Sequence, residues 1–411
     1  MTEMSGVAEP LVFNPFDPSF RSDPYPFYNR LREEDPGHVS PLGFHVLSRY
    51  DDCAAILKHP NVSSDQRNAA DYELWRASNP EAVAFTERME PRRPFLFMDP
   101  PDHTRLRGLV SKSFTPKRVE ELRPRVQQLV DELIDDAIGR GSLEVVEELA
   151  YPLPVVVICE LLGVPVADHE TFKGWSRLLA RSLDPDIVIP PDVQRQRVEA
   201  ITSFHEYFLD LIARLRLRPG PDLLSALVAA EDAGDTLSED ELLGICTLLL
   251  IAGHETTVNL IGNGVLALLR HPDEWARLTA DPALARTAVE EVLRFDPPVQ
   301  FDGRVAMADI DLGHVQLKKG EQPLLMLGAA NRDPRQFDEP EHFDIGWSDN
   351  HHLAFGYGMH FCLGAPLARL EGQVTLATLA RRLPDMQLLN DHPPYKENVV
   401  LRGLAELPVS I

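Results

Sequence analysis

The chain has 411 residues, of which 44% are apolar and 25% charged, the balance of an ordinary globular protein. Its 64 Asp and Glu residues outnumber its 40 Lys and Arg residues, which argues against a general nucleic-acid or anionic-membrane binder because both need a positive field. The four cysteines are widely spaced and form no Cys-x-x-Cys pair, which indicates a reducing, cytoplasmic compartment. We expect neither a signal peptide nor a membrane anchor.

The predicted elements follow one another without a linker. A short helix is predicted over residues 25–34 and a strand over 43–48, after which helical periodicity dominates. Strand signals return at 310–317 and 322–327, and a last long helix is predicted over 365–382. We therefore predict a mainly α fold with small β-sheets, as a single domain over 1–411 whose β-rich portion covers 36–50 and 296–330. Between the two sets of strands, the predicted helices span 118–139, 151–163, 169–182, 191–216, 238–270 and 282–295.

Residues 238–270 form the longest predicted helix. It opens with a capping box from Ser238 to Glu241 and is closed by Pro272. With a rise of about 1.5 Å per residue it would be about 50 Å long, and its apolar middle predicts that it crosses the centre of the molecule. The segment Ala252–Thr257 interrupts the apolar run with a glycine, a carboxylate and two hydroxyls. It is interpreted either as a kink or satisfied polar patch, or as a polar groove that faces a cofactor.

A second unusual segment surrounds Cys362. Three glycines near this cysteine, Gly356, Gly358 and Gly364, let the backbone approach a bound group closely and direct N–H groups at a thiolate. The helix predicted to begin after Cys362 presents its positive end to the sulfur and favours the anion. The alternatives are a buried structural cysteine or a zinc ligand, but zinc needs about four ligands. His360 and Cys362 supply only two.

The segment Phe355–Gly364 resembles the haem-binding signature of the cytochrome P450 family, Phe-Gly-x-Gly-x-His-x-Cys-x-Gly, without a departure. The segment Ala252–Thr257 is similar to the central-helix signature of that family, and Glu291 and Arg294 match its Glu-x-x-Arg pair. The resemblance covers essentially the whole chain. One position departs, since the family often carries an arginine in the loop where this chain has His342. This departure weakens the case for a three-membered ion network around the pair.

The resemblance implies a long central helix over haem b, with Cys362 as the axial ligand of the iron. In the family, the residues that match His103 and Arg107 contact one haem propionate, and the residue that matches Arg304 holds the other. The cofactor-binding residues that the resemblance implies are His103, Arg107, Ala252, Gly253, Arg304, Phe355, Gly356, His360, Cys362, Gly364 and Ala368.

The resemblance further implies a monooxygenase that inserts one oxygen atom from O₂ into a hydrophobic small molecule, by hydroxylation or epoxidation. Thr256 and Glu255 resemble the alcohol–acid pair that supplies protons in the family, and so are the predicted catalytic residues. We expect a terpenoid, a fatty acid or a polyketide-like substrate. The residues predicted to line its pocket are Phe95, Leu249, Ala252, Val299, Phe301 and Val400.

Electrons are expected from NAD(P)H through a separate reductase and ferredoxin. We expect a monomer with no nucleic-acid partner, and an electron-donor surface on the basic residues near the first long helix. Two rival functions are a peroxide-driven haem peroxygenase and a non-catalytic haem protein that binds a ligand or senses a gas. The basic residues that could receive the ferredoxin are Arg105, Lys112, Lys117 and Arg118.

Overall fold

The computed structural model describes residues 11–411 apart from 15–16, 42, 80–82, 84–85, 88, 186–188 and 233–236. Among the described residues the α-helices are, in chain order, α1 Pro18–Ser22, α2 Tyr25–Glu34, α3 Tyr50–Lys58, α4 Tyr72–Ser78, α5 Asp102–Ser113, α6 Pro116–Glu121, α7 Arg123–Ile138, α8 Pro152–Leu161, α9 His169–Ala180, α10 Pro191–Leu217, α11 Leu223–Asp232, α12 Glu239–Gly253, α13 Glu255–Arg270, α14 Pro272–Ala280, α15 Ala285–Phe295, α16 Leu327–Ala330 and α17 Ala365–Arg382. Short 3₁₀ turns lie at Gln66–Asn68, Glu90–Arg92, Phe95–Phe97, Val166–Asp168, Arg181–Leu183, Pro282–Leu284 and Gly358–His360, and a π-helical turn at Val145–Ala150.

The strands are short and pair between remote parts of the chain. They are β1 Val46–Leu47, β2 Val62–Ser63, β3 Ser142–Glu144, β4 Phe301–Gly303, β5 Val305–Ala306, β6 Ile310–Asp311, β7 Gln316–Leu317, β8 Leu324–Met326, β9 Gln387–Leu388 and β10 Pro408–Ser410. One sheet has the order β1-β8-β4, with β1 parallel to β8, and a second has the order β3-β10-β9. Two further pairs join β2 to β5 and β6 to β7.

The mainly α fold with small sheets is confirmed. The predicted helices over 151–163, 169–182, 191–216 and 365–382 correspond to α8, α9, α10 and α17. The portion predicted to be β-rich contains β1 and β4 to β8, while β2, β3, β9 and β10 lie outside it. Strands of two or three residues leave no period-two pattern, and their pairing depends on partners far along the chain.

The prediction of one continuous helix over 238–270 is wrong, since the helix breaks at His254 between α12 and α13. His254 is fully buried; its Nε2 lies 3.2 Å from the Tyr151 carbonyl oxygen and its Nδ1 2.5 Å from Ser176 Oγ. A carbonyl only accepts, so Nε2–H donates to Tyr151 and Nδ1 accepts from the serine. Burial lowers the pKa of His254 to about 4, so the ring is neutral. Its two hydrogen bonds attach the break in the central helix to α9 and to the residue just before α8.

The two halves of this central helix, α12 and α13, form the middle of the hydrophobic core. The span Glu239–Arg270 is long and apolar enough to cross a membrane by composition, but 72% of its most apolar window is buried inside the protein. Its capping box is present, with the Ser238 side chain accepting from the Glu241 N–H. The apolar run therefore packs against protein, as expected of a core helix.

A buried ion pair on α15 holds the loop that leads to Cys362. The Arg294 guanidinium donates to both carboxylate oxygens of Glu291, each at 2.8 Å, and neither side chain is exposed. Its remaining N–H groups donate to the backbone carbonyls of Pro340, His342 and Asn331 at 2.8, 2.9 and 3.3 Å. A backbone carbonyl of His342 thus binds Arg294, at the position where the family often has an arginine.

Arg294→Lys is expected to lower the free energy of unfolding by about 3 kcal/mol, because one ammonium cannot replace a planar group with five donors and leaves the buried carboxylate of Glu291 undercompensated. Denaturant unfolding of the full chain measures the change. The matched control is Arg277→Lys, since Arg277 pairs with Glu274 and Asp344 but its side chain is 44% exposed. That change should cost less than about 1 kcal/mol. Equal losses for both variants would contradict the structural role of Arg294.

Candidate active site

Cys362 lies at the end of a glycine-rich loop, just before α17. The loop is closed by hydrogen bonds from the Cys362 N–H to the Phe355 carbonyl at 2.9 Å and from the Gly356 N–H to the Leu353 carbonyl at 2.8 Å. Gly356 and Gly358 have φ angles of 67° and 71°, which glycine adopts at little cost. A Cβ on Gly358 would also lie 2.7 Å from the Leu57 carbonyl oxygen. The loop therefore needs glycine at both positions.

The surroundings of the Cys362 sulfur differ from those of the other cysteines. Burial raises the pKa of the Cys362 thiol, whereas the backbone N–H groups of Gly364 and Ala365 and then the guanidinium groups of Arg107 and Arg369 lower it. Burial is the largest cause at the three remaining cysteines as well, but no cationic group acts among the causes of the shift there. Burial raises the pKa of Cys159 to about 12, and it raises the pKa values of Cys53 and Cys246 still further.

Four nitrogen-bearing side chains converge beside this loop. His103 and Arg107 lie one turn apart on α5, and the rings of His103 and His360 are 4.1 Å apart between centroids. Arg107 donates to the Phe361 carbonyl at 2.5 Å, and Arg304 donates to Asp302 at 2.5 Å. Burial lowers the pKa of His360 to about 3, and the nearby His103, Arg304 and Arg107 act in the same direction. The cluster thus concentrates positive charge and N–H donors.

Three ring nitrogens in this cluster are buried without a hydrogen-bond partner among the described residues: both nitrogens of His103 and Nε2 of His360. An unsatisfied buried polar atom costs about 1–3 kcal/mol, so the cluster calls for an additional acceptor. The carboxylate edge of a haem supplies acceptors of the right charge for two arginines and two histidines. The residues present therefore fit a haem b whose iron is bound by the Cys362 thiolate.

The zinc alternative lacks ligands. Across the described residues, no group of three or more His, Cys, Asp or Glu side chains is placed to hold a metal ion. His360 and Cys362 are thus not joined by further ligands of the kind that a structural zinc site needs.

One face of the central helix borders the site. Ala252 is exposed and Thr256, one turn later, is half-buried, although the residues around them are mostly buried. The Thr256 hydroxyl donates to the Ala252 carbonyl at 2.7 Å, which leaves its lone pairs free to accept. Gly253 packs where a Cβ would lie 2.9 Å from Ile158 Cδ1, so a side chain there would require the Ile158 side chain to shift. The polar turn is therefore both a kink and a face with an available hydroxyl.

Glu255 points away from that face. Consecutive residues of a helix are separated by about 100°, so the Glu255 side chain cannot share the direction of Thr256. Its carboxylate is 6% exposed, and its Oε1 lies 2.5 Å from Lys396 Nζ. Both residues line a cavity of about 220 Å³ that also includes Tyr151 and Arg177. The predicted alcohol and acid thus lie on neighbouring but different sides of α13.

The residues predicted to line a substrate pocket are only partly brought together. Phe95 is buried against His103, with centroids 6.1 Å apart, and Leu249 is half-buried one turn before Ala252. Val299 and Val400 are half-buried on two segments of the chain that the Val299–Leu401 β-bridge joins.

Phe301 was predicted to line the substrate pocket, but the structure places it in a different buried cluster. It packs against Phe13 and Tyr28, with ring centroids 5.7 and 6.4 Å away, in a separate buried cluster near the N-terminus. In β4 successive side chains point to opposite faces of the sheet, so the face of Phe301 is the one that α2 covers. We remove it from the residues proposed to contact substrate.

The remaining cofactor-binding predictions lie around the same loop. Phe355 is half-buried, with the Arg369 guanidinium 4.6 Å from its ring centroid. The Ala368 N–H donates to the Gly364 carbonyl at 3.0 Å in the first turn of α17. Both residues therefore flank Cys362 as the resemblance implies.

Two residues near the site were not predicted from the sequence. Lys396 follows the last long helix in a segment without a motif, and its pairing with Glu255 spans 141 positions. Glu371 lies on α17; burial raises its pKa to about 8, although the nearby Thr257 acts in the opposite direction. A glutamate on an otherwise apolar helix face was the signal that could have identified Glu371.

The comparisons with known proteins agree with this geometry. A sequence model of the family "Cytochrome P450" matches residues 41–401. The chain is 38% identical over 414 residues to the polyketide biosynthesis cytochrome P450 PksS of Bacillus subtilis, which covers 98% of this chain and 99% of the relative. It is 42% identical over 403 residues to the vitamin D(3) 25-hydroxylase of Pseudonocardia autotrophica, with 96% of both chains covered.

A solved structure shows the same fold. The crystal structure of Mycobacterium smegmatis CYP164A2 in its ligand-free state superposes with a TM-score of 0.88 at 44% identity, covering 97% of this chain and 98% of that chain. The protein described here therefore belongs to the cytochrome P450 family and is a haem-thiolate monooxygenase.

Proposed function

We propose that Cys362 is the thiolate ligand of the haem iron and that His103, Arg107, Arg304 and His360 hold the two propionates. The observation that carries this proposal is the set of unpartnered buried ring nitrogens beside a cysteine sulfur that faces backbone N–H groups. When bound, the haem activates O₂ so that one oxygen atom enters the substrate, and the thiolate ligand favours O–O cleavage.

The polar turn of the central helix supplies the protons. The Thr256 hydroxyl donates to the Ala252 carbonyl, so its oxygen is left to accept a further hydrogen bond on the accessible face of the helix. Glu255 lies on the cavity side, where a carboxylate exchanges protons with solvent. The acid and the alcohol therefore have separate roles, since Glu255 takes up a proton and Thr256 orients proton donors at the place of reaction.

The substrate is proposed to be a hydrophobic small molecule of the terpenoid, fatty-acid or polyketide type. The half-buried apolar residues Leu249, Val299 and Val400 support this class, as does the 38% identity to a polyketide biosynthesis P450. Hydroxylation is the expected outcome, with epoxidation where an alkene is presented.

Electrons are proposed to come from NAD(P)H through a reductase and a ferredoxin in the cytoplasm. Lys112, Lys117 and Arg118 are exposed on α5 and α6, where they could receive an acidic donor. Arg105 is also exposed on α5, and it forms an ion pair with Glu241.

Cys362→Ala is expected to abolish the strongly red-shifted Soret band of the reduced carbon-monoxide complex, because the thiolate that produces it is gone. The matched control is Cys53→Ala, which removes a fully buried thiol from a site without cations. Absorption spectra of both haem-loaded variants measure the outcome. A red-shifted band that survives in Cys362→Ala would refute the assignment of the ligand.

Arg107→Ala and Arg304→Ala are each expected to accelerate haem loss about 30-fold, because a charged hydrogen bond contributes about 2 kcal/mol. Transfer of haem to an excess of an apo-globin measures the rate. Arg105→Ala is the control, since this residue lies on the same helix as Arg107 but pairs with Glu241. Haem loss at the parental rate in both test variants would show that neither arginine binds a propionate.

Thr256→Ala is expected to keep NADPH consumption while product per NADPH falls and hydrogen peroxide rises, because the hydroxyl that orients the proton donors is lost. Glu255→Gln should instead slow consumption itself, by up to about 10²-fold, the lower end of what acid–base catalysis contributes. Thr257→Val is the matched control, because this neighbouring hydroxyl is buried and already donates to the Gly253 carbonyl at 3.3 Å.

These measurements need a substrate that gives tight coupling in the parent protein, identified by its shift of the ferric spin state. Unchanged product per NADPH in Thr256→Ala would mean that protons arrive by another route.

A further inference from the structure

The cavity beside Glu255 leads from the surface to the central helix. At its outer end Arg177 and Glu147 form an ion pair whose side chains are 48% and 45% exposed. Further in, the Lys396 side chain is 19% exposed, and at the inner end the Glu255 side chain is 6% exposed. Six of the eight lining residues carry polar or charged groups, which gives water molecules in the cavity hydrogen-bond partners.

Its volume is sufficient for more than one water molecule. The space of about 220 Å³ compares with the roughly 10–15 Å³ that one water needs on the same scale. The other titratable groups near Glu255 are Tyr151, whose pKa burial raises above its usual range, and His254, which is neutral. Neither replaces Lys396 as the positive partner of the carboxylate.

Lys396 is held firmly in place by the C-terminal hairpin, residues 395–404. Its N–H donates to the Gly403 carbonyl at 2.9 Å, and Tyr395 pairs with Leu404 in the neighbouring bridge. The hairpin backbone touches the central helix, since a Cβ on Gly403 would lie 1.9 Å from Asn259 Oδ1. Only glycine permits this approach.

Lys396 also contacts two successive turns of α13. Its Nζ lies 2.5 Å from Glu255 Oε1 and 3.1 Å from Asn259 Oδ1, and Asn259 is one turn after Glu255. The ammonium is therefore oriented by two acceptors on one helix face, unlike the single flexible contact of a surface lysine.

We propose that Lys396 is the positioning residue for Glu255: its ammonium holds the carboxylate at the inner end of a water inlet through which protons enter. This inference rests on the proposed role of Glu255. A proton passes from cavity water to the carboxylate, and the carboxyl group then gives its proton to donors on the Thr256 side. Cavity water replaces the proton, so the cycle leaves Glu255 and Lys396 as they began.

Removing the ammonium changes the carboxylate in a definite way. A nearly buried carboxylate without a counter-charge takes up a proton and becomes neutral, because burial penalises the ion. Lys396→Met should therefore add a protonated-carboxyl band to the infrared spectrum at neutral pH, and Lys396→Met/Glu255→Gln should lack it. Burial already favours the neutral form of Glu371, so this residue supplies a protonated-carboxyl reference band in every variant.

In turnover, Lys396→Met is expected to slow substrate-dependent NADPH consumption about tenfold, a fraction of the 10²- to 10⁴-fold that acid–base groups contribute. The solvent deuterium isotope effect on consumption should rise, while the substrate affinity read from the ferric spin state stays the same. Lys396→Arg should restore the rate, since a guanidinium also pairs with a carboxylate. The control is Lys318→Met, which removes a lysine paired with Asp309 at the exposed surface.

The possible failures are distinguishable. If Glu255→Gln slows consumption but Lys396→Met matches the parent in rate and infrared spectrum, the inference about Lys396 is overturned and the role of Glu255 stands. If Glu255→Gln consumes NADPH at the parental rate, the proposed role of the acid fails, and the inference about Lys396 fails with it. A Lys396→Met protein that loses substrate affinity or haem, and is not rescued by Lys396→Arg, would show a structural role only.

Discussion

The Arg294 guanidinium is a fully buried charge, and the loop that carries the cysteine depends on how that charge is matched. Glu291 neutralises it, and Glu291 in turn accepts from the Asp344 N–H and from the Asn350 side chain, both at 3.0 Å. Arg294 also binds the backbone of Asn331, whose side-chain oxygen accepts from the Leu353 N–H at 2.7 Å. Leu353 begins the turn that leads to Cys362. Hydrogen bonds and the backbone between them thus connect α15 to the loop that carries Cys362, and a partly satisfied network of this kind would be costly.

The central helix has a different constraint, because one of its turns is polar although the rest of the span is apolar. Its break at His254 allows this, because the neutral ring accepts a hydrogen bond from Ser176 and donates one to Tyr151. The hydroxyls of Thr256 and Thr257 donate to carbonyls one turn earlier, so the disturbed backbone is partly satisfied by its own side chains. Glu255, like His254, takes its partner from elsewhere in the chain, and that partner is Lys396.

Much of this arrangement could be predicted from local patterns. The glycine spacing around Cys362 and the i, i+4 spacing of His103 and Arg107 each depend on neighbours in sequence, which periodicity makes visible. The break at His254 could not be predicted in the same way, because it depends on Ser176, 78 positions earlier. Phe301 shows the limit of strand alternation: the pattern predicts that alternate residues share a face, but not which element covers that face.

The two carboxyl groups near the polar turn show how the enzyme separates their chemistry. Glu255 faces a polar cavity and a lysine, whereas neither oxygen of Glu371 has a hydrogen-bond partner among the described residues, and burial raises its pKa to about 8. Neighbouring acids in such different surroundings are suited to different proton-transfer roles.

Lys396, the partner of Glu255, belongs to the same hairpin as Val400, a residue proposed to contact substrate. The Val399 and Val400 N–H groups of this hairpin donate to the Asp184 carboxylate at 2.9 and 3.0 Å, which anchors the tip of the hairpin. The residue proposed to contact substrate and the residue proposed to position Glu255 therefore belong to one short segment, whose backbone is bound both to itself and to Asp184.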